Sequence, residues 1–541
     1  MNIFSFIFKY FLRYKLNIAL MILSTIILWI VTMLTPYITG VFIDSLVQQS
    51  DVQIIWQAVA LLAVIWTMQL VFSYVRNITN AKVNALISYS IRYDIMESFK
   101  KLPLSYFADK DSGNLTGRVT KDSSDVVSFA LGAVFALFTS VFTFTVAYII
   151  VFNLNMTVAI LVLILLPLYS FVYMKYKTPL YILGKKVAEQ SSSFHGTMNK
   201  QLANMRLTKH NAWHKRMGTE IEVEFSALYE SIMKNARLSY IVNNADTLVR
   251  YFTNIVVFVY SGIQIIYSYM TIGQFTMIYT YSLMVISSLS VLFNFGKRYQ
   301  KAQVAYDRIE EILSAEKDEN GEVRLSKISG VKIVNLNFHY QNKHIISRLN
   351  LEMKKGYIYG VFGDNGTGKS TFISILCGIE QNYSGQIYVT DSNSKTPTNL
   401  KHIDLNHFRE NCLAIVPQEP VLYFNTIWEN ISGGKDEKEV NFWLEELSLV
   451  ELAGSHKAGQ NFKINETTTN LSGGEKQRFS IASAFIKDTD VVIMDEPTSA
   501  LDKHSIEALC KVLTEVKEEK IIVIVTHEKD LMQVCDEIVR F

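Results

Sequence analysis

The residues Gly363-Asp364-Asn365-Gly366-Thr367-Gly368-Lys369-Ser370 carry the spacing G-x-x-x-x-G-K-[ST]. A loop of this kind turns its backbone N–H groups inward to cradle phosphate oxygens. Lys369 is placed to reach the β- and γ-phosphates of a nucleotide, and the Ser370 hydroxyl to ligate Mg²⁺. Four further elements follow in order: Gln418, Leu471-Ser472-Gly473-Gly474-Glu475, the apolar run Val491–Met494 closed by Asp495 and Glu496, and His527. Asp495 is the expected second Mg²⁺ partner. Glu496, at a strand end pointing into the same cleft, can orient and deprotonate an attacking water.

These groups need a scaffold, and the surrounding sequence supplies one. Tyr357–Phe362 predicts a buried strand feeding the phosphate loop, and a helix from Lys369 places its positive end at the phosphates. Val331–Tyr340 alternates as a strand, and Ile521–Val525 predicts another just before His527. Residues 328–541 are therefore expected to form an α/β P-loop ATPase domain, joined through a charged linker, 316–327, to residues 1–315.

The first 315 residues differ in character. The whole chain is 49% hydrophobic and only 19% charged, too apolar for a soluble protein of 541 residues, and its net charge of +2 points to no nucleic-acid partner. Spans of the length a bilayer requires are predicted at 17–43, 54–75, 127–152, 156–174, 241–268 and 275–295. The short connections 48–53, 153–155 and 268–274 lack Lys and Arg, whereas 97–125 and 175–237 are basic. The positive-inside rule then places both termini and both long loops in the cytoplasm of a cell-membrane protein, with no cleavable signal expected at the N-terminus. Trp56–Lys101 reads as one helix running out of the membrane, and 175–240 as a helix pair turning near Met205–Arg216. Between spans two and three, Tyr106–Leu115 suggests a short transverse helix that docks on the ATPase domain. The four cysteines, Cys377, Cys412, Cys510 and Cys535, lack metal-ligand spacing and are expected to be inert thiols.

Leu471-Ser472-Gly473-Gly474-Glu475 resembles the LSGGQ signature of ATP-binding cassette (ABC) transporters, and the order of membrane half then cassette resembles their exporter-type half-transporters. The resemblance covers nearly the whole chain. It implies an all-α six-helix membrane domain and a catalytic set of Glu496, His527 (the switch histidine) and Gln418 (the Q-loop glutamine). Mg²⁺ would be held by Ser370, Gln418 and Asp495. In this family two cassettes pair head to tail. ATP would lie against Tyr340, Gly363, Asn365, Gly366, Gly368, Lys369, Ser370 and Thr371 of one copy, and against Ser472, Gly473, Gly474 and the D-loop Asp502 of the other. With every motif intact, a homodimer is the simplest assembly, although a heterodimer with a degenerate partner is also compatible. Three departures stand out: Glu475 for the usual Gln, a segment Ile464–Asn470 without the family's Arg-Gly, and a chain stopping at Val539-Arg540-Phe541, sooner than is usual.

The cargo is less legible. Asn243, Asn244, Asp246 and Arg250 lie at the cytoplasmic entry of the fifth span, Asp246 and Arg250 one helical turn apart, as a mutual pair or as cavity lining. Tyr267, Tyr269, Tyr279 and Tyr281 read as an outer aromatic belt. ATP-driven export of a peptide (matured bacteriocin, lantibiotic or lasso type) or an amphipathic drug ranks first, lipid flipping second. A non-pumping ATP-gated regulator ranks last because Glu496 and His527 are both present.

Overall fold

A computed structural model describes residues 2–48, 52–108, 110, 112–340, 343–364, 366–393, 396–424, 426–447, 449 and 471–541. The chain divides into two compact units, one of residues 1–100 and 111–315, the other of 101–110 and 316–541.

The first unit is helical. Ile3–Arg13 buries Ile3, Phe6, Ile7 and Tyr10, one stripe of an amphipathic helix. The Tyr10 hydroxyl donates to Asp94 at 2.8 Å. Lys15–Val47, Val52–Phe99, Leu115–Leu154, Thr247–Ile266 and Ile272–Ser314 contain stretches long and apolar enough to cross a membrane. The predicted span 156–174 begins the helix Met156–Ala203. Val52–Phe99 has 48 residues and is thus about 70 Å long, well beyond a bilayer core. Met156–Ala203 and His214–Ile266 turn around through the short helix Met205–His210, where the sequence predicts the reversal. The hydroxyls of Thr25, Thr32, Thr35 and Thr39 donate to carbonyls four residues earlier, so these polar residues of the first span satisfy themselves within their own helix.

At the outer end Asp44 accepts from the Thr271 hydroxyl and from the Gly273 N–H, both at 2.7 Å, tying the first long helix to the start of the last. Towards the cytoplasm, Arg118 meets Glu311 at 2.8 Å, Lys301 meets Asp125 at 2.6 Å and Arg308 meets Asp122 at 3.8 Å. One expectation is corrected. Tyr267 and Tyr269 are exposed, as a belt requires, but Tyr281 is 1% exposed and donates to the Met33 carbonyl at 2.6 Å. Tyr279 is half-buried and packs against Phe258 and Phe275. A helix facing both bilayer and protein has the same apolar periodicity on either side, which is why spacing alone misassigns Tyr281. The side chains of Asn243 and Asp246 lie outside the described residues, so the expected Asp246–Arg250 pair does too.

The second unit holds two sheets. One is antiparallel, in the order β2 (Lys343–Lys354), β1 (Ile328–Tyr340), β4 (Ser384–Asp391), β5 (Pro397–Asn399). The other is parallel, ordered β6 (Leu413–Val416), β7 (Val491–Asp495), β8 (Ile521–Val525), β3 (Ile358–Phe362), β9 (Glu537–Arg540). β3 and β8 are buried at every position, which explains their unbroken apolar runs. The chain end is integrated: β9 pairs with β3, and the Phe541 N–H donates to the Phe362 carbonyl at 2.7 Å. Residues 101–110 cluster with this unit; they include the one-turn helix Ser105–Ala108, and the Asp318 N–H donates to the Lys101 carbonyl at 2.8 Å.

Candidate functional site

The chemistry-bearing residues converge because of strand order. The phosphate loop leaves β3, Glu496 follows β7, and Gln418 and His527 lie two residues past β6 and β8. β6, β7, β8 and β3 are consecutive neighbours in the parallel sheet, so all four positions emerge at one edge. Parallel α/β sheets bind ligands at that carboxyl edge.

Gly366 and Gly368 have φ of 83° and 104°, left-handed conformations that a side chain at either position would strain. They turn the chain into the helix Lys369–Leu376, whose N-terminus faces the loop. Lys369 is 7% exposed, and its ammonium donates to the carbonyls of Gly363 at 2.6 Å and Asp364 at 3.1 Å. Thr371 is half-buried one residue beyond Ser370. Asn365 lies outside the described residues.

The Ser370 side chain stands beside Asp495. Burial raises the Asp495 carboxyl above its ordinary value, neighbouring Glu496 adds to the rise, and Ser370 and Lys369 oppose it. The Gln418 amide donates to Glu496 Oε2 at 2.9 Å, and His527 Nε2 lies 3.7 Å from Glu496 Oε1. Glu496 itself has φ of 47°, rare for a residue with a side chain, and its N–H donates to the Val525 carbonyl at 2.8 Å. Backbone strain of this kind costs about 1–3 kcal/mol and concentrates at functional sites. Here it aims the carboxylate at Gln418 and His527 instead of continuing β7. Tyr340, at the end of β1, is half-exposed and set edge-on to Phe338 at 4.7 Å, leaving ring surface available for stacking.

The signature caps the helix Gly473–Ile486. Ser472 Oγ accepts from the Glu475 N–H at 3.2 Å while the Glu475 carboxylate accepts from the Ser472 N–H at 2.6 Å, a reciprocal capping box. A glutamate at 475 is therefore well placed, since negative charge is favourable at a helix N-terminus. Asp502 caps the helix Lys503–Val516 through the Ser505 N–H at 2.8 Å. Residues 464–470 lie outside the described set.

Ala500 belongs to the segment Ser499-Ala500-Leu501-Asp502 that resembles the family's D-loop, but its contact with the signature is not part of that motif. A Cβ on Gly474 would sit 2.4 Å from the Ala500 carbonyl oxygen, so the signature and D-loop backbones are in direct contact. No periodicity or spacing announces a backbone contact of this kind. Gly474→Ala is expected to lower the melting temperature of the detergent-solubilised protein and to cut ATP turnover at least tenfold, since overpacking costs roughly 1–3 kcal/mol. Helix propensity alone dictates the opposite sign, a gain of about 1 kcal/mol. A raised melting temperature with normal turnover would refute the contact.

The cysteines meet expectation. Burial holds the thiols of Cys377, Cys412 and Cys535 well above their ordinary value, at about 12, 11 and 11, so they stay protonated and unreactive.

Fold and site together define a P-loop ATPase joined to a set of membrane-spanning helices. The chain matches the ABC transporter transmembrane region over residues 18–289, half its length, and a second model described as ABC transporter over 346–499. It belongs to the ABC transporter family. It is a multi-pass membrane protein with a cytoplasmic ATPase domain and carries out ATP-driven transport. Over 551 aligned residues it is 24% identical to ATP-dependent lipid A-core flippase 2 of Colwellia psychrerythraea, covering 99% of this chain and 92% of that one. It is 32% identical over 254 residues to a probable ABC transporter ATP-binding/permease protein of Haemophilus influenzae, covering 46% and 45% of the two chains. In fold it is similar to a bacterial Atm1-family ABC exporter solved with ATP bound, with a TM-score of 0.83, 19% identity, and coverage of 97% and 94%.

Proposed function

We propose that this protein uses ATP to move an amphipathic lipid from one leaflet of the cell membrane to the other. The observation that carries the reading is end-to-end similarity to a lipid A-core flippase, with further flippases of that name among the relatives that match over most of their length. It supports lipid over peptide or drug, the reverse of the order in which the sequence alone ranks them. A multidrug resistance-like protein, MdlB of Buchnera aphidicola, at 24% identity over 94% of this chain, keeps an amphipathic drug as the second reading.

The site residues take the following roles. Lys369 and the N–H groups of the phosphate loop hold the β- and γ-phosphates, and Tyr340 stacks on the adenine. Glu496 orients the attacking water and accepts its proton, held in place by Gln418 and by its own bond to the Val525 carbonyl. His527, beside Glu496, meets the γ-phosphate. A hydroxyl, a carboxylate and a carboxamide at Ser370, Asp495 and Gln418 are hard oxygen donors that suit Mg²⁺. The proximity of Ser370 to Asp495 supports this reading. When bound there, Mg²⁺ supplies charge neutralisation at the β- and γ-oxygens. Ser472, Gly473, Gly474 and Asp502 serve the ATP of a second copy in a homodimer.

The test is untargeted mass spectrometry of medium, cells and membranes from the native host, comparing the wild-type protein with Glu496→Gln. The expected result is a redistributed lipid with an unchanged medium. A peptide that disappears from the medium and accumulates inside the cells would overturn the lipid reading.

A further inference from the structure

The antiparallel strands β1 and β2 each carry a histidine, His339 and His344, set directly opposite each other in the strand register. Residues so paired hold their Cβ atoms about 4.5–5.5 Å apart. That is close to the spacing of the i and i+4 histidines with which a helix grips zinc. Both residues are exposed, and their ring centres stand 6.0 Å apart at an interplanar angle of 48°. A metal ion about 2.0–2.1 Å from an imidazole nitrogen lies roughly 3.2 Å from the ring centre, so two rings share one ion at separations up to about 6.4 Å. A tetrahedral angle requires about 5.2 Å, a shift within the side-chain freedom of exposed rings.

Neutral imidazole suits Zn²⁺, Cu²⁺ and Ni²⁺, whereas Mg²⁺ requires hard oxygen ligands. Among the described residues no group of three or more His, Cys, Asp or Glu forms a metal cluster, so water completes the coordination of an ion held by this pair. The same two strands reach the nucleotide site. Tyr340 follows His339 in β1, and Ile345 follows His344 in β2. A Cβ on the phosphate-loop Gly368 would sit 2.5 Å from Cγ2 of Ile345, so β2 and the phosphate loop are in direct contact one residue from the histidine pair.

We infer that His339 and His344 chelate a divalent transition-metal ion of the zinc class, and that the ion stiffens the strand pair against which the phosphate loop packs. Ordering that pair before the nucleotide arrives removes part of the conformational cost of binding, so the metal raises ATP affinity. The site differs from the proposed Mg²⁺ position at Ser370, Gln418 and Asp495 in its residues and in its ligand chemistry.

The experiment titrates Zn²⁺ into the nucleotide-free, detergent-solubilised full chain, purified without a polyhistidine tag, against a chromophoric zinc chelator in excess Mg²⁺. Each wild-type chain is expected to bind a single zinc ion tightly. His339→Gln and His344→Gln should each weaken that binding about a hundredfold, since loss of either ring converts a chelate into a lone contact. The double substitution should weaken it no further than either one alone. Losses that add from one histidine to the other would mean two independent rings and would overturn the proposal. Unaltered binding in the double variant would overturn it too. Titration with a fluorescent ATP analogue, with Mg²⁺ present throughout, then reads the coupling. Zinc should raise ATP affinity about fivefold in the wild type and leave His344→Gln unchanged. Zinc carried by the nucleotide itself is common to both proteins, so an equal response in both would overturn the second half of the inference. Because both histidines are exposed, the variants are expected to bind ATP normally without zinc, which shows that their fold is intact.

Discussion

Glu496→Gln is expected to bind ATP with near-normal affinity and to lose ATP turnover by about 10²–10⁴-fold, the span that positioned general bases contribute. The substitution is nearly isosteric, so the strained backbone at φ 47° and the N–H bond to the Val525 carbonyl should survive. Only the proton acceptor is removed. Gln418 meets an amide oxygen in place of a carboxylate, and a neutral hydrogen bond replaces a charge-assisted one. The readout is steady-state ATPase of the reconstituted protein beside equilibrium binding of ATP. Near-normal turnover would show that the water is activated elsewhere. A collapse of both binding and turnover would show that Glu496 is structural. A nucleotide-locked, non-cycling protein also supplies the comparison on which the lipid-redistribution experiment depends.

Lys369→Ala should fail at the opposite step. The ammonium is almost fully buried and bonds to two carbonyls of its own loop, Gly363 and Asp364. It therefore does two things: it holds the loop shape and places a positive charge where the phosphates arrive. Hydrogen bonds to charged groups are worth about 1.5–3 kcal/mol, so ATP affinity should fall roughly ten- to a hundredfold or more. Titration with a fluorescent ATP analogue measures this directly. Unchanged affinity would remove Lys369 from the phosphate site. The two variants thus separate binding from hydrolysis, and neither outcome depends on the identity of the cargo.

The two halves of the chain differ in how far they can be read without a structure. The phosphate loop is legible because its geometry is local: eight consecutive residues, two of them glycines in left-handed conformations, build the cradle from their own backbone. The membrane spans are legible because length and apolarity are imposed by the bilayer, not by neighbours in the fold. The substitution of Glu475 for the usual glutamine is the kind of departure that sequence reading can notice but not explain. The capping box supplies the reason, since either side chain accepts the Ser472 N–H.

What depends on neighbours is not legible. Tyr281 carries the same apolar, interfacial signature as Tyr267, yet one is buried against Met33 and the other faces outward. The contact between Gly474 and Ala500 is between backbones, to which side-chain patterns are blind.

The sequence by itself determined that this chain binds nucleotide through a P-loop and crosses a membrane several times, because both properties follow from residue types at short, fixed spacings. The tertiary structure alone decided how Gln418, Glu496 and His527, which the family resemblance groups only by role, come within contact of one another. They are separated by up to 109 positions in the chain, and only the order β6-β7-β8-β3 sets their strands side by side with the same ends facing one cleft. Strand order arises from how the crossover helices pack on the sheet, an energy summed over the whole domain that no local spacing encodes.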